Sequence, residues 1–235
     1  MREKLAVCLF YKTFMFIMIF VTFTSLSLLI ISNVFATSHN DRFIMIKKAN
    51  IVNQNNYKHI IGLLQNIGNR TVNHIIITAN IFDKNHKSIG NFSKESEVTT
   101  LDPKNESPFD ILLFDKQIYN LIKMYDLDLK FNLTTFKDEK LRILSNYSNL
   151  DSSGFYFING KLQNMGLSFS NITTVTALTF NKNNKIAGLW KAQSEPYNVP
   201  PYSIASFSIP ITDKNQSFQI RYYSLFAQSD KYTLK

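Results

Sequence analysis

The sequence predicts an all-β chain, with two tandem β-sandwich domains behind an N-terminal export segment. Three observations predict it. A duplication at an offset of 98 residues runs through most of the chain. Within each copy, short apolar runs alternate with polar positions and end at turns rich in Asn, Asp, Gly or Pro. Ahead of both copies lies a stretch from Thr13 to Thr37 without one charged residue.

That first element reads as an export signal. Arg2, Lys4 and Lys12 precede the apolar run, and basic residues hold the start of such a segment on the cytoplasmic side while the run enters the bilayer. Val34 and Ala36 stand at the small-residue spacing that a signal peptidase prefers, which predicts a signal peptide over residues 1–36 with cleavage after Ala36. The competing reading is an uncleaved membrane anchor over residues 13–32, since a run of roughly 18 apolar residues is enough to span a bilayer. The one cysteine, Cys8, falls inside this leader, so the rest of the chain has neither a disulfide framework nor a thiolate site. Net charge is +9, and removing the leader's three bases and one acid leaves +7. The lysines are dispersed among Asn and Asp rather than striped, which suits solubility; nucleic acid is not an expected partner of an exported chain.

The duplication sets the domain organisation. Tyr57 to Leu113 and Phe155 to Ile211 share 19 of 57 positions without a gap, including "GLLQNIG" and "GKLQNMG". The same shift sets Phe43 to Ile46 beside Leu141 to Leu144. It predicts domains over residues 40–138 and 139–235. In "NHIIITANIFD", Ile75, Ile77, Ala79 and Ile81 share one side of an extended chain, with His74, Thr78 and Asn80 on the other. "DKNHKSIG" and "NKNNKIAG" follow as hairpin turns. Phe109, Ile111 and Leu113 alternate likewise, as do Phe207, Ile209 and Ile211, each group entered through a Pro-containing turn. "KMYDLDLKF" and "FQIRYYSLF" close the two copies, and "FDKQIYNLIKM" can form one helical turn. Five to seven short strands in about 98 residues predict an immunoglobulin-like sandwich in each copy. Gly68 and Gly166 are expected to supply turns with positive φ.

Each copy resembles the FxLYD-type domain, a small β-sandwich module of exported and surface proteins of bacteria and archaea. The resemblance rests on G-x-L-x-N-x-G at Gly62 to Gly68 and Gly160 to Gly166, on "ANIFDKN" or "ALTFNKN", on the Gly that follows, and on Leu101/Pro103 and Val199/Pro201 before a Phe. The sequence departs from the family pattern at Ala79 and Ala177, at Phe82 and Phe180, and at Asn181. The resemblance implies a repeated module without enzymatic activity.

Chemistry-bearing residues are sparse. His39, His59, His74 and His86 lack metal-ligand spacing and have no histidine counterparts in the second copy. Asp83 and Asn85 alternate as in a calcium loop but without its Gly and distal Glu. Glu95 and Glu97 share a strand face, where solvation is the ordinary role. No nucleophile motif occurs, so no enzyme and no cofactor or metal is expected. Aromatic residues are the candidate partner-binding groups: Trp190, Tyr197 and Tyr202. Trp190 corresponds to Phe92, which also fits a core position. Glycan acceptor sequons stand at Asn69, Asn91, Asn105, Asn132, Asn146, Asn171 and Asn215. The expected function is a non-enzymatic, extracellular or cell-surface protein whose modules serve interaction or assembly at the envelope. Its expected partner is an envelope protein or polysaccharide. The alternatives are a polysaccharide- or ligand-binding module and an accessory subunit of an envelope enzyme or transporter.

Overall fold

Strand chemistry and the duplication together account for the fold seen in the computed structural model, which describes residues 43–136 and 141–229. The expected export segment and the join between the copies lie outside the described residues. Among the described residues no helix is long and apolar enough to cross a membrane.

The described residues are all-β, with antiparallel pairing throughout. In the first repeat, β1 (Ile44–Gln54), β2 (Tyr57–Asn66) and β6 (Glu106–Leu113) form one sheet in the order β1-β2-β6. A second sheet centres on β3 (Val72–Phe82), which pairs with β4 (Ser88–Glu95), with the short β5 (Thr100–Leu101) and with β7 (Met124–Leu133). The second repeat retraces this. There β8 (Leu141–Leu150), β9 (Tyr156–Asn164) and β12 (Ile204–Ile211) pair in the order β12-β9-β8, while β10 (Thr174–Phe180) lies between β11 (Ile186–Glu195) and β13 (Tyr222–Gln228). Two residue pairs at the end of β11, Ser194 with Phe207 and Glu195 with Ser206, join these into one six-stranded sheet.

The alternation read in the sequence is the packing observed. Ile75, Ile77, Ala79 and Ile81 are fully buried, with Ile60, Leu64, Phe109, Ile111 and Leu113 of the other sheet in the same apolar cluster. A second cluster gathers Ile158, Leu162, Val175, Ala177, Phe207, Ile209 and Ile211. Turns repeat down to single atoms. Asp83 Oδ1 accepts from the backbone N–H of Asn85 and Lys87, and Asn181 Oδ1 accepts from Asn183 and Lys185. Asp115 caps a 3₁₀ turn at Lys116–Ile118, and Asp213 caps a short helix at Lys214–Ser217. The helical turn expected in "FDKQIYNLIKM" is the first of these.

Two expectations need correction. The leading strands correspond at a shift one residue shorter than the rest. Ile44 faces Asn66 and Leu141 faces Asn164, so Ile44 matches Leu141 rather than Arg142. Gly68 and Gly166 do not have positive φ; the glycine that does is Gly154, at 84°. What Gly68 supplies is room, because a Cβ there would run into the Phe43 ring.

A third apolar cluster, built from both repeats, joins them. It holds Val52 of β1 and Ile61 and Leu63 of β2 from the first, with Leu178, Phe180, Ile186 and Leu189 from the second. The described residues 43–136 and 141–229 thereby fall in one compact unit rather than two beads. The sequence of β2 explains its place: "IIGLL" is continuously apolar, and Ile60 and Leu64 serve the first repeat's own core while Ile61 and Leu63 point the other way.

Candidate functional site

The copies differ where one docks on the other. The counterparts of Ile61 and Leu63 are Asn159 and Lys161, and Val52 corresponds to Asn149 through the shortened shift. The counterparts of Leu178, Leu189 and of Phe226, which packs on the shared cluster, are Asn80, Asn91 and Asp128. Those three form a polar ladder on the exposed face of the first repeat: Asn91 Nδ2 donates to Asn80 Oδ1 at 2.7 Å, and Asn80 Nδ2 to Asp128 Oδ2 at 2.7 Å. Each repeat thus has one apolar outer face used in docking and one polar outer face. A head-to-tail interface of this kind could otherwise continue from molecule to molecule.

Polar contacts frame the apolar cluster. Asn50 Nδ2 donates to the Ile186 carbonyl at 3.1 Å, Lys48 Nζ to Asn184 Oδ1 at 2.7 Å, and Gln216 Nε2 to the Asn53 carbonyl at 2.6 Å. Lys191 of the second repeat pairs with Glu97 of the first. Gly188 permits this approach: a Cβ there would meet Gln216, Trp190 and Gln54.

A groove of about 450 Å³ opens beside this contact, lined by His59, Phe92, Glu97, Asp110, Phe114 and Lys191 among others. His59 Nδ1 lies 2.8 Å from Asp110 Oδ1. The groove also carries a hydroxyl, Ser93 Oγ, which is engaged with Thr78 Oγ1 at 2.8 Å. Among the described residues no group of three His, Cys, Asp or Glu could hold a metal. A second groove, of about 510 Å³, lies on the second repeat over Tyr147, Asn159, Lys161, Glu195, Ser206 and Ser208. It occupies the face equivalent to the one the first repeat uses for docking.

The three candidate aromatics do not stand together. Trp190 is a correction: only 8% exposed, it faces Ala177 across the sheet and belongs to the second repeat's core, so it is no surface anchor. Tyr197 and Tyr202 are exposed, at 52% and 58%, on the loop between β11 and β12. Beside it runs the loop between β9 and β10, with Met165, Leu167, Phe169 and Ile172 exposed, Leu167 at 83%. The two loops are tied into one tip. Ser170 and Val199 exchange backbone hydrogen bonds at 3.0 and 2.9 Å, and Thr173 N–H donates to the Tyr197 carbonyl at 2.7 Å. Asn164 Nδ2 reaches both loops, donating to the carbonyls of Ser168 and Val199. The apolar members of this tip escaped sequence reasoning, although the signal is there: residues 165–173 and 196–203 contain no Asp, Glu, Lys or Arg. All seven sequon asparagines are exposed. Comparison with protein-family models and with curated proteins gives no match.

Proposed function

We propose that this chain is an exported, non-enzymatic protein of the cell envelope or cell surface, in which two tandem immunoglobulin-like β-sandwich domains form one rigid interaction module. The observation that carries this reading is the specialisation of two similar repeats: the copies keep core residues such as Ile60/Ile158, Leu64/Leu162, Ala79/Ala177, Phe109/Phe207 and Ile111/Ile209, and differ at their outer faces and loop tips. That is how a scaffold is adapted to hold a partner, whereas catalysis asks for a convergent set of reacting groups. The uncharged run of residues 13–36 and the resemblance of both repeats to the FxLYD-type domain support the same reading.

The test is to follow the tagged full chain through fractionation of its native cell and to identify what co-purifies after mild cross-linking. Recovery with the envelope or the medium, with a mature N-terminus after Ala36 or an intact Met1 in the membrane, is the expected result. A chain that stays in the cytoplasm would overturn the reading. A second reading, a polysaccharide-binding module, is favoured by the groove over Tyr147, Lys161 and Glu195, which combines an exposed ring with hydrogen-bonding side chains. Saturable binding of one sugar class on a glycan array, lost on Tyr147→Ala, would select it.

A further inference from the structure

We propose that the loop tip of the second repeat inserts into the headgroup region of a lipid bilayer; the proposal rests on the reading of the chain as an envelope protein. Leu167, Phe169, Met165 and Ile172 project from one loop, and Tyr197 and Tyr202 from its neighbour. Across the 17 residues of these loops the chain places no charge, although 18% of all its residues are charged. An exposed apolar group of this size marks a contact surface.

Three features select lipid as the occupant. The first is satisfaction of the backbone. The cross-loop bonds of Ser170, Val199 and Thr173, with those from Asn164 and from Gln163 Nε2 to the Tyr202 carbonyl at 2.9 Å, already pair much of the loops' polar backbone. Entry into a medium without hydrogen-bond partners therefore costs less. The second is shape and composition. The apolar side chains stand on protruding loops and line neither groove, and two tyrosines accompany the aliphatic and Phe side chains. Tyrosine has an apolar body and a polar tip suited to the headgroup level. The exposed polar side chains of these loops, Asn171 and Asn198, are uncharged, whereas a protein interface would be expected to ring such a centre with charged side chains of its own. The third is charge. The nearest cation in the sheet, Arg142, is exposed and sits opposite Gln163, just below the tip, where it can meet an anionic headgroup.

The first repeat provides an internal control. At the positions of Leu167, Phe169, Ile172, Tyr197 and Tyr202 it has Asn69, Thr71, His74, Thr99 and Lys104. The same loop framework persists there: Asn66 Nδ2 donates to the carbonyls of Arg70 and Leu101, each at 2.8 Å. Met165 alone keeps an apolar counterpart, Ile67, so the apolar residues at the other five positions are not required by the loop fold.

The test uses the full chain with Cys8→Ser, which removes its only thiol, and one new cysteine carrying an environment-sensitive fluorophore. Leu167→Cys reports on the tip and Asn69→Cys on the first repeat's counterpart; both positions are exposed and should tolerate the change. The probe is a vesicle of phosphatidylcholine with a quarter phosphatidylglycerol, with and without lipids brominated near the headgroup. Expected is a blue-shifted emission at position 167, quenched several-fold more by the brominated lipid than emission at position 69. An aqueous spectrum at 167 overturns the proposal, whether the chain floats free or is held on the vesicle by its leader. A blue shift at 167 without vesicles also overturns it, assigning the tip to a second copy or to the chain's own apolar segment. These results bear on the tip alone, whereas the cellular location of the chain decides the functional reading.

Discussion

Gln54 of the first repeat and Leu189 of the second exchange two hydrogen bonds, Gln54 Nε2 donating to the Leu189 carbonyl at 2.9 Å and the Leu189 N–H donating to Gln54 Oε1 at 3.1 Å. The amide side chain thus acts as one residue of an additional strand along β11, in a buried setting. Gln54→Ala should leave both backbone groups unpaired and cost about 1–3 kcal/mol, measured by urea unfolding. A neutral result would mean that water reaches the site and the contact is looser than its distances imply.

Trp190 and Phe92 occupy matching positions, and Trp190 lies among the buried residues of its repeat. Trp190→Phe takes the first repeat's own choice and should be mild, whereas Trp190→Ala should cost about 3–5 kcal/mol. Melting curves of the two variants check this; similar stability for Trp190→Ala and wild type would return Trp190 to the list of surface anchors.

Gly62 and Gly160 belong to the repeated motif and share one constraint. A Cβ at Gly62 would meet the Phe109 ring and the Lys48 carbonyl oxygen; at Gly160 it would meet the Phe207 ring and the Ser145 carbonyl oxygen. The strand ahead of each motif pairs alongside it and shifts register just before that glycine, between Ile46 and Lys48 and between Ile143 and Ser145, and backbone cannot move aside as a side chain can. Alanine at either position should destabilise by about 1–3 kcal/mol in thermal unfolding.

Asp83 and Asn181 perform the same turn, but only Asp83 titrates. Its carboxyl is held below the ordinary aspartate value of 3.8, chiefly by the Lys87 backbone N–H, against an opposing desolvation effect. A depressed folded-state value means that the carboxylate's stabilisation is present above 3.8 and is lost as pH falls through the folded value. Asp83→Asn should flatten that part of the acid limb while preserving the turn, as Asn181 does. Stability measured across the acid range for both proteins checks it; an unchanged acid limb contradicts it.

The extent to which the sequence revealed this molecule follows from where its information lies. Identities between copies, such as Asn66 with Asn164, mark the loop framework. Each amide donates to two carbonyls and each Oδ1 accepts from the glycine two residues on; the repeat marks where this framework stands, whereas its bonding and the φ of its glycines appear only in the structure. The docking of the repeats is written in the opposite signal, the differences. Ile61 against Asn159 and Leu178 against Asn80 become meaningful only once the sheet shows which face each side chain takes. For Trp190 the match to Phe92 favours the core, and its neighbours in the sheet, Ala177 opposite it among them, decide against the surface reading. The tip was legible in part, through Tyr197 and Tyr202. Leu167 and Phe169 were not singled out, since nothing local distinguishes an exposed Leu in a loop from a buried one.

The central claim is that the repeats act as one body through the cluster of Ile61, Leu63, Leu178 and Leu189. Ile61→Asn with Leu63→Lys tests it, because these are the residues that β9 carries at the same positions and both side chains point away from the first repeat's own core. Each lost burial should remove about 1.5–3 kcal/mol from the docking. Calorimetry of wild type and double variant is the direct measurement. One cooperative transition in the wild type, resolved into two separate transitions in the variant, is the predicted result; a single unshifted transition in both, or two independent transitions already in the wild type, would contradict the account.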